Sequence, residues 1–120
     1  MAKLVILITS RIDEAHHVGE AWQGSGAPGV TFIEGYGLRR LQEARKGAEM
    51  LPGMLSLLEI LRDNEETTIV LLALLEDGTI VDALLSATES ILGSLQAPNN
   101  GIFFVIDVER AIGIQDYGKN

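Results

Sequence analysis

The chain has 120 residues, 47% hydrophobic and 22% charged, the balance of one globular domain that buries a core without disulfides or structural metal. With no cysteine, a disulfide scaffold, a thiol nucleophile and thiolate metal sites are excluded. Nine basic against seventeen acidic residues give a net charge of −8, which repels phosphate backbones and anionic lipids, so neither nucleic acid nor a membrane surface is an expected partner.

Leu4-Val5-Ile6-Leu7-Ile8 is a short apolar, largely β-branched run that reads as a strand buried on both faces. It stops at Ile8, too short for a signal peptide or a membrane span, and the expected location is the cytoplasm. Ser10 and Asp13 offer side-chain acceptors for the free amides of a starting helix. Ile12, Ala15, Gly19 and Trp22 follow at helical spacing, with Glu14, Glu20 and Gln23 falling elsewhere. Gly24-Ser25-Gly26-Ala27-Pro28-Gly29 ends that helix, and a second strand runs from about Val30 to Glu34 into Gly35-Tyr36-Gly37.

Residues 38–66 exceed an ordinary hairpin loop. They begin polar, with four of the nine basic residues (Arg39, Arg40, Arg45 and Lys46). They end in Leu51, Met54, Leu55, Leu57, Leu58, Ile60 and Leu61, which predicts an amphipathic helix from about Pro52 to Arg62. Either that helix packs on the domain or it binds a protein partner.

The remainder repeats the plan of the start. Thr68–Leu75 reads as a strand and Glu76-Asp77-Gly78 as a turn. Val81, Leu84, Leu85, Thr88, Ile91, Leu92 and Leu95 mark one stripe of a helix, and Ile102–Val108 is the last strand. Two strand–helix–strand halves predict an α+β, ferredoxin-like βαββαβ sandwich, an antiparallel sheet with two helices on one face. Residues 1–120 form a single domain with an insertion at about 38–66. Strands one and three are apolar on both faces, yet two helices cover only one face, so another subunit or the segment 38–66 must cover the other, and a homo-oligomer is the preferred expectation.

The order of strand, helix, Gly-x-Pro-Gly, strand, Gly35-Tyr36-Gly37, long insertion, strand, helix and Gly101-Ile102-Phe103-Phe104-Val105 resembles the P-II nitrogen-regulatory signalling proteins. The resemblance spans roughly 3–38 and 67–115. Gly35-Tyr36-Gly37 is similar to the Gly-Phe-Gly before that family's long T-loop, and the strand ending Ile106-Asp107-Val108-Glu109 to its Gly-Lys-Ile-Phe-Val-x-x-Val-Glu strand. The resemblance implies a trimer with centrally packed sheets and adenine nucleotides bound between subunits. It also implies a T-loop, here 38–66, that contacts a protein partner in regulating nitrogen or carbon metabolism.

The departures bear on the ligand. Ile102 stands where the family has a phosphate-binding lysine, and Gly113 and Gln115 flank Ile114 where it has two arginines. Each lost charge-assisted contact is worth roughly 1.5–3 kcal/mol, so weak or absent ATP binding is expected. The insertion also lacks the family's modified tyrosine.

The candidate ligand-binding residues are therefore Gly35, Tyr36, Gly37, Arg39 and Arg40 at the insertion, with Asn99, Asn100 and Gly101 before the last strand. Glycines let backbone approach a ligand, arginines clamp phosphate or carboxylate, and successive amides of an Asn-Gly turn cradle an anion. Plainer readings are a solvated loop entry and an ordinary turn. Thr88 and Arg110 are weaker additions.

His16 and His17 with Asp13 and Glu20 fall into two separate i,i+4 pairs. Exposed helix-face residues are therefore expected rather than a metal site. Trp22 belongs to the apolar stripe and reads as core. No P-loop, zinc motif, dinucleotide fingerprint or nucleophile elbow occurs, so no cofactor is expected and the reading is non-catalytic. A small ferredoxin-like enzyme with an interface active site and a pure protein adaptor are the competing readings.

Overall fold

The computed structural model describes residues 1–38, 42 and 67–114. The elements are β1 (Ala2–Thr9), α1 (Ile12–Gly24), β2 (Thr31–Gly35), β3 (Thr68–Leu75), α2 (Val81–Leu92) and β4 (Ile102–Val108). The two later strands match their predicted limits. The first starts two residues earlier than its apolar run, because Ala2 and Lys3 continue the ladder opposite Val108 and Asp107. All but Leu38 and Gln42 of the insertion, including the helix expected at 52–62, lies outside the described residues.

The sheet order is β2-β3-β1-β4, and every neighbouring pair is antiparallel. Together with two helices this is the expected α+β architecture, compatible with a ferredoxin-like fold. Side chains alternate along each strand, so residues paired across the ladders share a face. Val5, Leu7, Ile69, Leu71, Ala73 and Leu75 point to the helices and join Ala15, Val18, Trp22, Leu84 and Leu92 in one core.

Trp22 is fully buried; its ring meets Phe103 edge-on with centroids 6.1 Å apart. Its indole Nε1–H donates to Thr88 Oγ1 at 2.9 Å, and the Thr88 hydroxyl donates to the Leu84 carbonyl at 2.7 Å. A threonine on an otherwise apolar stripe is thus the acceptor that lets a tryptophan be buried without an unpaired N–H.

Helix ends differ from expectation in two respects. Ser10 is exposed, and no side chain caps the first amides of α1; instead Thr9 Oγ1 accepts the Arg11 N–H at 3.1 Å. The C-terminus closes as expected. The Ala27 N–H bonds the Trp22 carbonyl and the Gly26 N–H that of Gln23, with Gly26 at φ 108°, a Schellman motif. On α2 the stripe residue Leu95 lies past the helix, which stops at Gly93 with φ 86°.

The opposite sheet face carries Leu4, Ile6 and Ile8 on β1, and Val70, Leu72 and Leu74 on β3. Ile33 on β2 and Ile102, Phe104 and Ile106 on β4 complete it. No helix among the described residues lies on it. Ile6 at its centre is buried, but Ile33 is 46% exposed, Ile102 61% and Ile106 45%, so among the described residues this apolar face is open towards its two edge strands.

At the foot of the sheet, Lys3 Nζ donates to Asp107 Oδ1. That bond first, and the ammonium charge second, hold the Asp107 carboxyl below its ordinary value. A depressed folded pKa stabilises fully above the unfolded value, about 3.9, and the contribution vanishes as pH falls through the folded one. Asp107→Asn is therefore expected to melt below wild type at pH 6, with the two melting temperatures converging below about pH 3. A gap of equal size at both pH values would contradict the pairing.

Candidate functional site

The two candidate loops sit at the same end of the sheet. Gly35 closes β2 opposite Thr68, and Gly101 precedes β4, whose first residue Ile102 pairs with Ile8. They occupy opposite edges, however, with β3 and β1 between them. Three strand spacings put them about 14 Å apart. One chain does not bring them into a common pocket.

Tyr36 is half-buried and Gly37 exposed, as a loop entry requires. Arg39 and Arg40 lie outside the described residues. Asn99 has φ 68° and Gly101 φ 137°, the conformations that the Asn-Asn-Gly sequence predicts for a turn. Asn100 is committed to the fold: its Oδ1 accepts from Arg11 Nη1 at 3.2 Å, its Nδ2 donates to the Ser94 carbonyl at 2.8 Å, and its own carbonyl accepts from Thr9 Oγ1 at 3.0 Å. Its Oδ1 and one of its two amide hydrogens are spent on the fold, which leaves the second Nδ2–H and the backbone of 99–101 as the ligand-capable part of this turn.

Arg11 organises this end and was not singled out in the sequence. Its guanidinium also donates to the Leu92 carbonyl at 2.5 Å, an orphan acceptor of the last turn of α2, and to Glu14 Oε1 at 3.2 Å. A backbone hydrogen bond, reinforced by Arg11, lowers the Glu14 carboxyl from its ordinary value. The sequence signal was the Arg-x-x-Glu spacing across a strand–helix junction, an i,i+3 pair.

Between the loops, on the helix side, lies an open cleft of about 670 Å³ lined by Ser10, Arg11, Ile12, Asp13, Glu14, Glu34 and Thr67. Three carboxylates face one arginine that already has three acceptors. Among the described residues this end therefore attracts no anion by itself.

The remaining candidates take their plain readings. His16 and His17 are exposed, and His16 lies against the Phe32 ring, centroids 5.1 Å apart. Among the described residues no group of three acidic or histidine side chains is placed to hold a metal ion. Thr88 is buried against Trp22, Arg110 is exposed, and Asp77 Oδ1 accepts the Thr79 N–H as a turn residue does. No helix among the described residues is long and apolar enough to cross a membrane. Comparison with protein-family models and with curated proteins finds no match to the chain.

Proposed function

We propose that the protein is a P-II-like regulatory module, non-catalytic, that binds a small anionic metabolite or nucleotide between subunits of a homotrimer. Residues 38–66 serve as its protein-contacting segment. The observation that carries this reading is the placement of Gly35-Tyr36-Gly37 and Asn99-Asn100-Gly101 at one end of the sheet but at opposite edges. A second copy is what sets one loop beside the other. The open apolar face supplies the driving force for assembly: apolar surface removed from water is worth ~25 cal/mol per Å².

Charge determines the ligand class. The described part of the cleft is acidic, so Arg39 and Arg40 are the cations that meet an anion there. With Ile102 and Gly113 in place of phosphate-binding cations, a triphosphate is disfavoured relative to a smaller anion. A thermal-shift series with ATP, ADP, AMP and carboxylate metabolites tests this, because a ligand of the folded state raises its melting temperature. A shift of a few degrees with a small anion and little with ATP is expected. Micromolar ATP binding contradicts the ligand assignment, and a monomer by light scattering contradicts the intersubunit site.

A further inference from the structure

The turn before β4 carries the only Asn-Gly step of the chain, Asn100-Gly101. In such a step the glycine's backbone nitrogen can attack the asparagine side-chain carbonyl, because no glycine Cβ screens the approach. The backbone nitrogen gives up its proton, its new bond to Cγ closes a cyclic imide, and the side-chain nitrogen leaves as ammonia. Water then opens the ring at either carbonyl, giving aspartate or isoaspartate. Water is the only co-reactant, and no electrons change hands.

Three hydrogen bonds from three parts of the chain oppose that ring closure. Arg11 Nη1, just ahead of α1, donates to Asn100 Oδ1 at 3.2 Å, and Asn100 Nδ2 donates to the Ser94 carbonyl, just past α2, at 2.8 Å. Thr9 Oγ1, at the end of β1, donates to the Asn100 main-chain carbonyl at 3.0 Å. The first two bonds hold the side-chain amide towards the end of α2. The third fixes the peptide plane that contains the attacking nitrogen. Closure brings Cγ onto that nitrogen, so side chain and peptide plane must leave these partners. Arg11 is itself anchored, by the Leu92 carbonyl and Glu14 Oε1.

We propose that Asn100-Gly101 is a deamidation site latched by Arg11: the closed turn keeps Asn100 intact, and opening of the turn converts it. The inference stands on the turn's own bonds and rests on neither the oligomer nor the ligand proposed above. The two products fit the turn unequally. Aspartate keeps the Arg11 contact but sets an acceptor oxygen against the Ser94 carbonyl, where Nδ2 now donates. Isoaspartate adds a methylene to the main chain just ahead of Gly101. That residue already lies so close to β1 that an added Cβ would stand 2.9 Å from the Ile8 carbonyl oxygen. Either product adds a negative charge to a chain of −8. The modification therefore loosens the start of β4 and turns this corner of the molecule against anions.

Peptide mapping by mass spectrometry follows Asn100 in the full chain, incubated in mildly alkaline buffer either native or unfolded in urea. Native Asn100 is expected to convert at least about ten-fold more slowly than unfolded Asn100, because the reaction waits on an opening. Arg11→Ala should raise the native rate at least about ten-fold and leave the rate in urea unchanged, since it alters the opening and not the chemistry. Circular dichroism checks that the variant is folded. If it is not, Arg11→Lys carries the same test, because it keeps the charge and loses the planar fork. A native rate equal to or above the unfolded one overturns the proposal. So does a wild-type protection that persists in the folded variant, which would place the latch elsewhere than at Arg11.

Discussion

Trp22→Ala is expected to destabilise the protein by about 3–5 kcal/mol. The side chain is fully buried in α1, where it fills the space between α2 and Phe103 on the edge strand. Its removal leaves a cavity bounded by a helix and a sheet, neither of which can collapse without breaking ladders. It also strips Thr88 Oγ1 of its donor, although that hydroxyl keeps its own bond to the Leu84 carbonyl. For a chain of this size about 1 kcal/mol corresponds to ~4 °C, so the melting temperature should fall by roughly 12–20 °C. Thr88→Val separates the two contributions. It conserves volume but leaves the indole N–H buried without an acceptor, at a cost of about 1–3 kcal/mol. If Thr88→Val were neutral in thermal or urea unfolding, the hydrogen bond would not be what makes Trp22 tolerable there.

The stripe that carries Trp22 was legible because helical periodicity and burial have the same cause. Ala15, Gly19 and Trp22 recur at the spacing that places them on one side of α1. The strands were legible for the same reason, and the limits of Thr68–Leu75 and Ile102–Val108 follow from β-branched and apolar runs ending at turn residues. What the sequence left open depends on long-range geometry. Nothing local to Arg11 announces that its guanidinium will reach Leu92 and Asn100, more than eighty residues on. Asn100 illustrates the converse: its turn chemistry was readable, but its side chain's engagement with Arg11 and Ser94 depends on where α2 ends. Of the candidate loops, the turn at Asn99-Asn100-Gly101 was readable from residues that tolerate positive φ, as Asn99 and Gly101 adopt. The separation of the two loops by three strand spacings, about 14 Å, follows from strand order, which periodicity alone does not specify.

Gly101→Ala is the second substitution expected to have a large effect, about 2–4 kcal/mol of lost stability. Gly101 has φ 137°, a conformation that L side chains rarely adopt. An added Cβ would also lie 2.9 Å from the Ile8 carbonyl oxygen and 3.2 Å from Thr9 Cβ. Both atoms belong to β1, which is held by β3 on one side and β4 on the other, so neither can retreat without straining the sheet's centre. Retreat would also move Thr9 Oγ1, which bonds the Asn100 carbonyl and accepts the Arg11 N–H. Thus one methyl group strains a turn, a strand and the Arg11 cluster together. Gly24→Ala is the matched control: nothing lies within 4 Å of its added Cβ, and a helix-end alanine is expected to be neutral or stabilising by up to about 1 kcal/mol. Urea unfolding of the two variants should therefore move in opposite directions or differ by at least ~2 kcal/mol. Equal midpoints would mean that Gly101 is free to adopt another conformation. The turn would then be available to a ligand through its flexibility, and its role would no longer be to hold β4 against β1.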